Sequence, residues 1–267
     1  MDLELFLRIL FFISGAMSGS FLNVCIIRLP QEKSVVFPGS HCTKCQKPIR
    51  WFDNIPIISY FLLGGKCRDC GARFSIRYPL IELLTALTFL EFYLYFGLTW
   101  LLLPYLLMVS GFIVGTFVDL EHRILPDEVT LGGAIVGLIL SGLIPQLHAT
   151  DSWIWSLGQA GLGILVGGGL IYLMGLFGEW VFKKEAMGGG DVKLLAMIGA
   201  FLGWEYAILS FFLAPFFGSI VGIIEKIRTK DSTIAYGPYL VIGALVSLFW
   251  GKKIIYIIMT GQLYKSF

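Results

Sequence analysis

The chain has 267 residues, of which 57% are hydrophobic and 14% charged, with a mean hydropathy of +0.81 and a net charge of +2. Soluble domains carry about 25% charged residues, so the composition excludes a water-soluble globular protein. The near-zero charge argues against a nucleic-acid partner, and long uninterrupted apolar runs exclude an outer-membrane barrel, whose strands alternate over about ten residues. An all-α polytopic membrane protein in contact with the lipid bilayer is expected.

Apolar runs predict eight spans, at about 3–28, 80–97, 100–118, 129–146, 153–181, 191–206, 207–226 and 236–250. A bilayer core needs about 20 residues, so the sixth and eighth are short. The first run lacks a basic segment ahead of it and a small-x-small cleavage site, and reads as a retained helix rather than a signal peptide. The chain then divides into a first helix (1–29), a polar insertion (30–78), helices two to eight (79–250) and a tail (251–267). Sixteen of the twenty Lys and Arg residues fall on one face: the insertion, Arg123, Lys183, Lys184, Lys193 and the 225–235 loop. By the positive-inside rule that face is cytoplasmic and both termini are outside. Small residues four apart, Gly133–Gly137, Gly163–Gly167 and Gly199–Gly203, predict close helix packing in lipid.

The insertion carries Cys42-Thr-Lys-Cys45 and, after a 21-residue gap, Cys67-Arg-Asp-Cys70-Gly71. Two such knuckles read as a tetrahedral four-thiolate zinc site. Gly71 supplies the tight turn that lets backbone amides face the sulfurs. The competing reading, two disulfides, conflicts with a reducing cytoplasm, and a redox dithiol lacks a βαβ context. Fewer than fifty residues make too small a core to fold unaided, so the metal is expected to be structural. His41 reads as a bystander, and Cys25, in the first helix, as packing.

Asp119 ends the third apolar run and opens Asp119-Leu-Glu-His-Arg-Ile-Leu-Pro-Asp127. Asp191 follows three glycines in Glu185-Ala-Met-Gly-Gly-Gly-Asp191-Val-Lys193 and opens the sixth span. Charge at the mouth of a membrane helix is costly and marks a functional candidate. Two carboxylates on the same inner side suggest aspartyl hydrolysis, in which a shared proton supplies an acid and a base at once. A structural alternative exists for Asp191 and for Asp127. Asp191 and Asp127 can serve as helix N-caps, facing the positive dipole end, although a cap does not call for three glycines. Intramembrane-edge acids also fit a transporter, but no internal repeat is visible. A membrane scaffold with a zinc knuckle would leave both acids idle, and the His-Glu-x-x-His of a metalloprotease is absent.

Phe21-Leu-Asn-Val24, Arg28-Leu-Pro30, the paired knuckles, Trp51 to Tyr60, Arg77 to Thr85, Asp119 to Thr130 and Gly188 to Leu195 follow one another in an order that resembles the bifunctional type IV prepilin peptidases. The resemblance spans almost the whole chain. It implies an aspartic endopeptidase of the bacterial inner membrane whose active site faces the cytoplasm. Such enzymes remove the basic leader of type IV prepilins and type II secretion pseudopilins, substrates with an apolar N-terminal helix. They then methylate the new N-terminal amine with S-adenosylmethionine. Carried over motif by motif, it makes Asp119 and Asp191 the catalytic pair. Glu121, Glu128 and Glu185 are candidates for meeting the basic leader. No Gly-x-Gly-x-x-Gly follows a strand, so the methyl donor needs an atypical site. Asn23, Glu82 and the Arg77-Tyr78 pair, at the membrane end of the insertion, fit either that role or structural hydrogen bonds.

Overall fold

A computed structural model describes residues 2–183, 188–229 and 235–261. Lys184 and Glu185 of the glycine turn, Lys230 of the last basic loop and the final six residues of the tail lie outside them. The regular elements of the described residues are helices, apart from two isolated β-bridges in the insertion: α1 Leu3–Arg28, α2 Ile58–Leu62, α3 Arg77–Phe96, α4 Leu102–His122, α5 Asp127–Leu143, α6 Trp153–Phe182, α7 Gly189–Leu202, α8 Trp204–Thr229 and α9 Gly237–Thr260. Each of the eight expected spans corresponds to one long helix. Six are long and apolar enough to cross a membrane; α5 and α7, at 17 and 14 residues, are shorter. The chain forms two compact units, Met1–Phe117 and Val118–Phe267.

In the first unit α1 packs on α3. A Cβ on Gly15 or Gly19 would stand 2.7 Å from a backbone Cα of α3, that of Ala86 or Glu82. This four-residue glycine pair, not singled out from the sequence, sets the approach of the two helices in the way that small residues do in lipid. Ile26, Ile81 and Ala86 are fully buried, and Phe11 stacks on Tyr93 at 4.6 Å.

The second unit is built around α7. Leu194 to Leu202 are all buried, because α5 and α6 flank this helix and α8 and α9 also touch it. A helix wrapped on all sides is apolar all round, which is why its sequence looks like a membrane span. The α6–α7 approach is the tightest described: a Cβ on Gly163 would fall 2.1 Å from the Gly199 carbonyl oxygen, and one on Gly167 2.5 Å from that of Leu195. On the other side Met197 and Phe201 fill the notches at Gly133 and Gly137. Gly203 is not part of this packing. At φ +86° it ends α7, so the sixth span stops at Leu202 rather than 206 and α8 starts at once. α8 and α9 meet where Gly243 lies under the Ser210 carbonyl and Ser210 bonds Ser247 at 3.2 Å.

Candidate active site and cysteine cluster

α4 ends one turn beyond Asp119, and its carboxylate is buried at 6% exposure. Oδ2 accepts a hydrogen bond of 3.0 Å from the Gly237 amide, the first residue of α9. Amides at a helix N-terminus point outward and suit an anion. A Cβ on Gly237 would sit 2.7 Å from that oxygen, so a larger residue there would have to displace the carboxylate. Asp191 lies in the first turn of α7, close enough to Asp119 for the two charges to repel. The structure thus brings together two acids 72 positions apart in sequence.

Gly188, not Asp191, is the N-cap of α7. Asp191 holds the third helical position, with its N–H on the Gly188 carbonyl at 3.1 Å and its carboxylate reaching back to the Gly188 amide. That is half of a capping box, so the structural reading holds in part, beside the neighbouring acid. Asp127 is not a cap either. Pro126 occupies that position, and Asp127 accepts from Lys193 Nζ at 2.6 Å, tying the start of α5 to that of α7. Of the glycine triplet only Gly190 is crowded, since a Cβ there would lie 3.0 Å from that of Leu125, while Gly189 faces open space. None of the three has a positive φ. Glu121 lies 3.9 Å from His122 and Glu128 is in the first turn of α5.

Tyr236 was missed from the sequence. It caps α9 beside Gly237, and burial, then the charge of Asp191, pushes its phenol up to about 12. The signal available was Gly237-Pro238, a proline at the second position of a helix after a basic loop.

In the first unit the two knuckles are near copies of each other. A β-bridge flanks each, His41 with Pro48 and Lys66 with Arg73. The Cys42 amide bonds the Lys47 carbonyl and the Cys67 amide that of Ala72. The fourth residue beyond each first cysteine has a positive φ, +59° at Gln46 and +69° at Gly71. The expected Gly71 turn is present, with a non-glycine counterpart. All four sulfurs lie within 4.8 Å of one another, and Cys42 Sγ is 3.8 Å from Cys70 Sγ. Zinc–sulfur bonds of about 2.3 Å at tetrahedral angles separate sulfurs by about 3.8 Å, so the set fits zinc. Amides of Cys45 and Lys44 hold the Cys42 thiol down at about 6, against burial. At Cys70 the Ala72 amide pulls the same way, but burial and the three other sulfurs push that thiol up to about 11. Four crowded thiols do not all ionise without a cation among them. Cys25, buried in α1, and His41, bonded to the Gly39 carbonyl, stand outside the cluster. Arg68 grips both oxygens of Asp53 in a fork, with its guanidinium 5.7 Å over Phe52.

Residues 13–96 match the model of the bacterial peptidase A24 N-terminal domain, and residues 101–223 that of the type IV leader peptidase family. A Pseudomonas aeruginosa protein named prepilin leader peptidase/N-methyltransferase is 36% identical, over 90% of this chain and 89% of its own length. The chain belongs to the type IV leader peptidase family. A Myxococcus xanthus relative of the same name is 38% identical over 82% of the chain, which spans only 63% of that longer protein. An Escherichia coli family member, a leader peptide-processing enzyme of type 4 prepilin-like proteins, is 36% identical over 89% of the chain and 91% of its own length. No solved structure matches the chain. Within this family assignment both matched segments carry one of the described sites: the cysteine cluster lies in the N-terminal domain, the two aspartates in the leader peptidase segment.

Proposed function

We propose that this chain is a bifunctional prepilin leader peptidase and N-methyltransferase of the bacterial inner membrane, with Asp119 and Asp191 as its peptidase pair. The observation that carries the reading is the approach of half-buried Asp191, in the first turn of α7, to buried Asp119 of α4, which the Gly237 amide of α9 holds, in a chain of the leader peptidase family. With one proton shared by the pair, one aspartate takes a proton from a water whose oxygen attacks the scissile carbonyl. The other, protonated, donates to the carbonyl oxygen. Collapse of the tetrahedral adduct breaks the C–N bond and passes a proton to the leaving amine. The cleaved leader keeps a carboxylate and the mature protein a free α-amine.

Open space beside Gly189 suits an extended substrate backbone. Glu121 and Glu128, on the Asp119 side, are the described acids suited to a basic leader. All eight long helices cross the bilayer in this reading, with the acids on the cytoplasmic face that the basic residues define. Prepilins and pseudopilins, each with an apolar N-terminal helix, are the substrates. Cys42, Cys45, Cys67 and Cys70 hold one structural zinc, which fixes the fold of the insertion. S-adenosylmethionine, when bound, supplies an activated methyl group; the chain must orient the new amine toward it in neutral form. The test is incubation of purified enzyme with a prepilin, with and without S-adenosylmethionine, followed by the mass of the mature N-terminus. Loss of the leader in both, and a further 14 Da with the donor, is roughly the mass change expected. An intact leader overturns the reading.

A further inference from the structure

The first unit contains a cavity of about 650 Å³ between the cytoplasmic ends of α1 and α3 and the cysteine insertion. We infer that this cavity is the methyl-donor site, holding S-adenosylmethionine against Glu82 and Asn23; the inference rests on the methyltransferase reading above. The volume lies within the roughly 300–1,000 Å³ of sites that take cofactor-sized ligands. Its inner wall carries two buried polar side chains that the packing of α1 on α3 leaves partly unused. Asn23, 1% exposed, donates to the Gly19 and Tyr78 carbonyls at 3.2 and 3.1 Å, while its own Oδ1 has no partner. Buried acceptors are rarely left so, because an unmade hydrogen bond costs about 1–3 kcal/mol.

Glu82, 8% exposed, accepts from the Ile57 amide at 2.6 Å. That bond holds a β-branched residue at φ 63°, ψ −56°, a region such residues avoid. Backbone strain of this kind is characteristic of ligand sites. The Ser20 side chain bonds the same carboxylate; a carboxylate has about four lone-pair positions, so these two bonds still leave capacity for more donors. S-adenosylmethionine offers such donors as ribose hydroxyls, an α-ammonium and the adenine amine. Tyr60 and Tyr78 supply ring faces for the adenine, and Lys66 a cation for the carboxylate. Asn23, Glu82 and Tyr78, three of the four polar residues at the membrane end of the insertion, line this cavity. The assignment explains how a chain with no dinucleotide-type glycine motif accommodates a nucleoside.

Binding is measured directly, without turnover, by calorimetric titration of the full-length zinc-loaded protein in detergent with S-adenosylhomocysteine. The wild type is expected to bind saturably and Glu82→Gln at least tenfold more weakly. A wild type that does not bind sinks the methyltransferase reading itself. A Glu82→Gln variant of wild-type affinity overturns only the location. In case that variant fails to fold, wild-type protein is photo-crosslinked with an azidoadenosyl analogue of the ligand and the adduct mapped by mass spectrometry. Adducts within residues 20–82 support the site, and adducts confined to residues 118–261 overturn it.

Discussion

Asp119 has little room to move. Its Oδ2 accepts from the Gly237 amide and lies 2.7 Å from where a Cβ at 237 would stand. Gly237→Ala is therefore expected to displace the carboxylate and lower the cleavage rate about 100-fold, as misplacement by about 1 Å does elsewhere. Single-turnover kinetics on a prepilin peptide check it; an unchanged rate would show that the contact does not matter. Gly189 provides the contrast. Its surroundings are open, so Gly189→Ala should leave thermal stability within about 0.5 kcal/mol. If that variant, shown to be as stable as wild type, also cleaves at the wild-type rate, Gly189 has no part in admitting the substrate backbone. The sequence marked these acids because charge at the mouth of an apolar run stands out. Tyr236 and the Asp127–Lys193 pair were not legible, because their partners come from distant segments joined only by folding.

At the scale of elements, apolar length located every long helix, yet missed the end of α7 by four residues. Trp204 and Tyr206 continue the apolar run around the single acid Glu205, and the positive φ of Gly203 marks the break. The glycine spacing was legible for α5, α6 and α7 because close packing in lipid demands small residues, and Gly15–Gly19 obeys the same rule. Replacing Gly163 by leucine should drive a side chain into the Gly199 carbonyl and destabilise the second unit by about 3 kcal/mol. A melting curve in detergent indistinguishable from wild type would refute the packing. The cysteine knuckles were readable from spacing alone, since a tetrahedral site needs short loops. Metal analysis should find one zinc per chain, unchanged in Cys25→Ser and lost in Cys67→Ser. Zinc retained in Cys67→Ser would break the four-thiolate assignment.

For the molecule as a whole, the proposed function is one activity feeding another. Methyl transfer acts on an amine that exists only after cleavage, so substrate chemistry imposes the order. An α-amine has a pKa near 8 and its neutral form is the nucleophile. Methylation of a pre-cleaved pilin should accordingly rise as pH climbs from about 6 to 9, whereas a peptidase pair that must retain one proton fails at the alkaline end. Parallel pH profiles for the two steps would argue against separate sites. The most direct measurement of the central claim uses purified, zinc-loaded Asp119→Asn and Asp191→Asn proteins on two substrates, an intact prepilin and a pre-cleaved pilin with a free N-terminus. The paired-aspartate account predicts that each variant loses at least about 1,000-fold in cleavage while still methylating the pre-cleaved substrate; cleavage near the wild-type rate by either variant would contradict it.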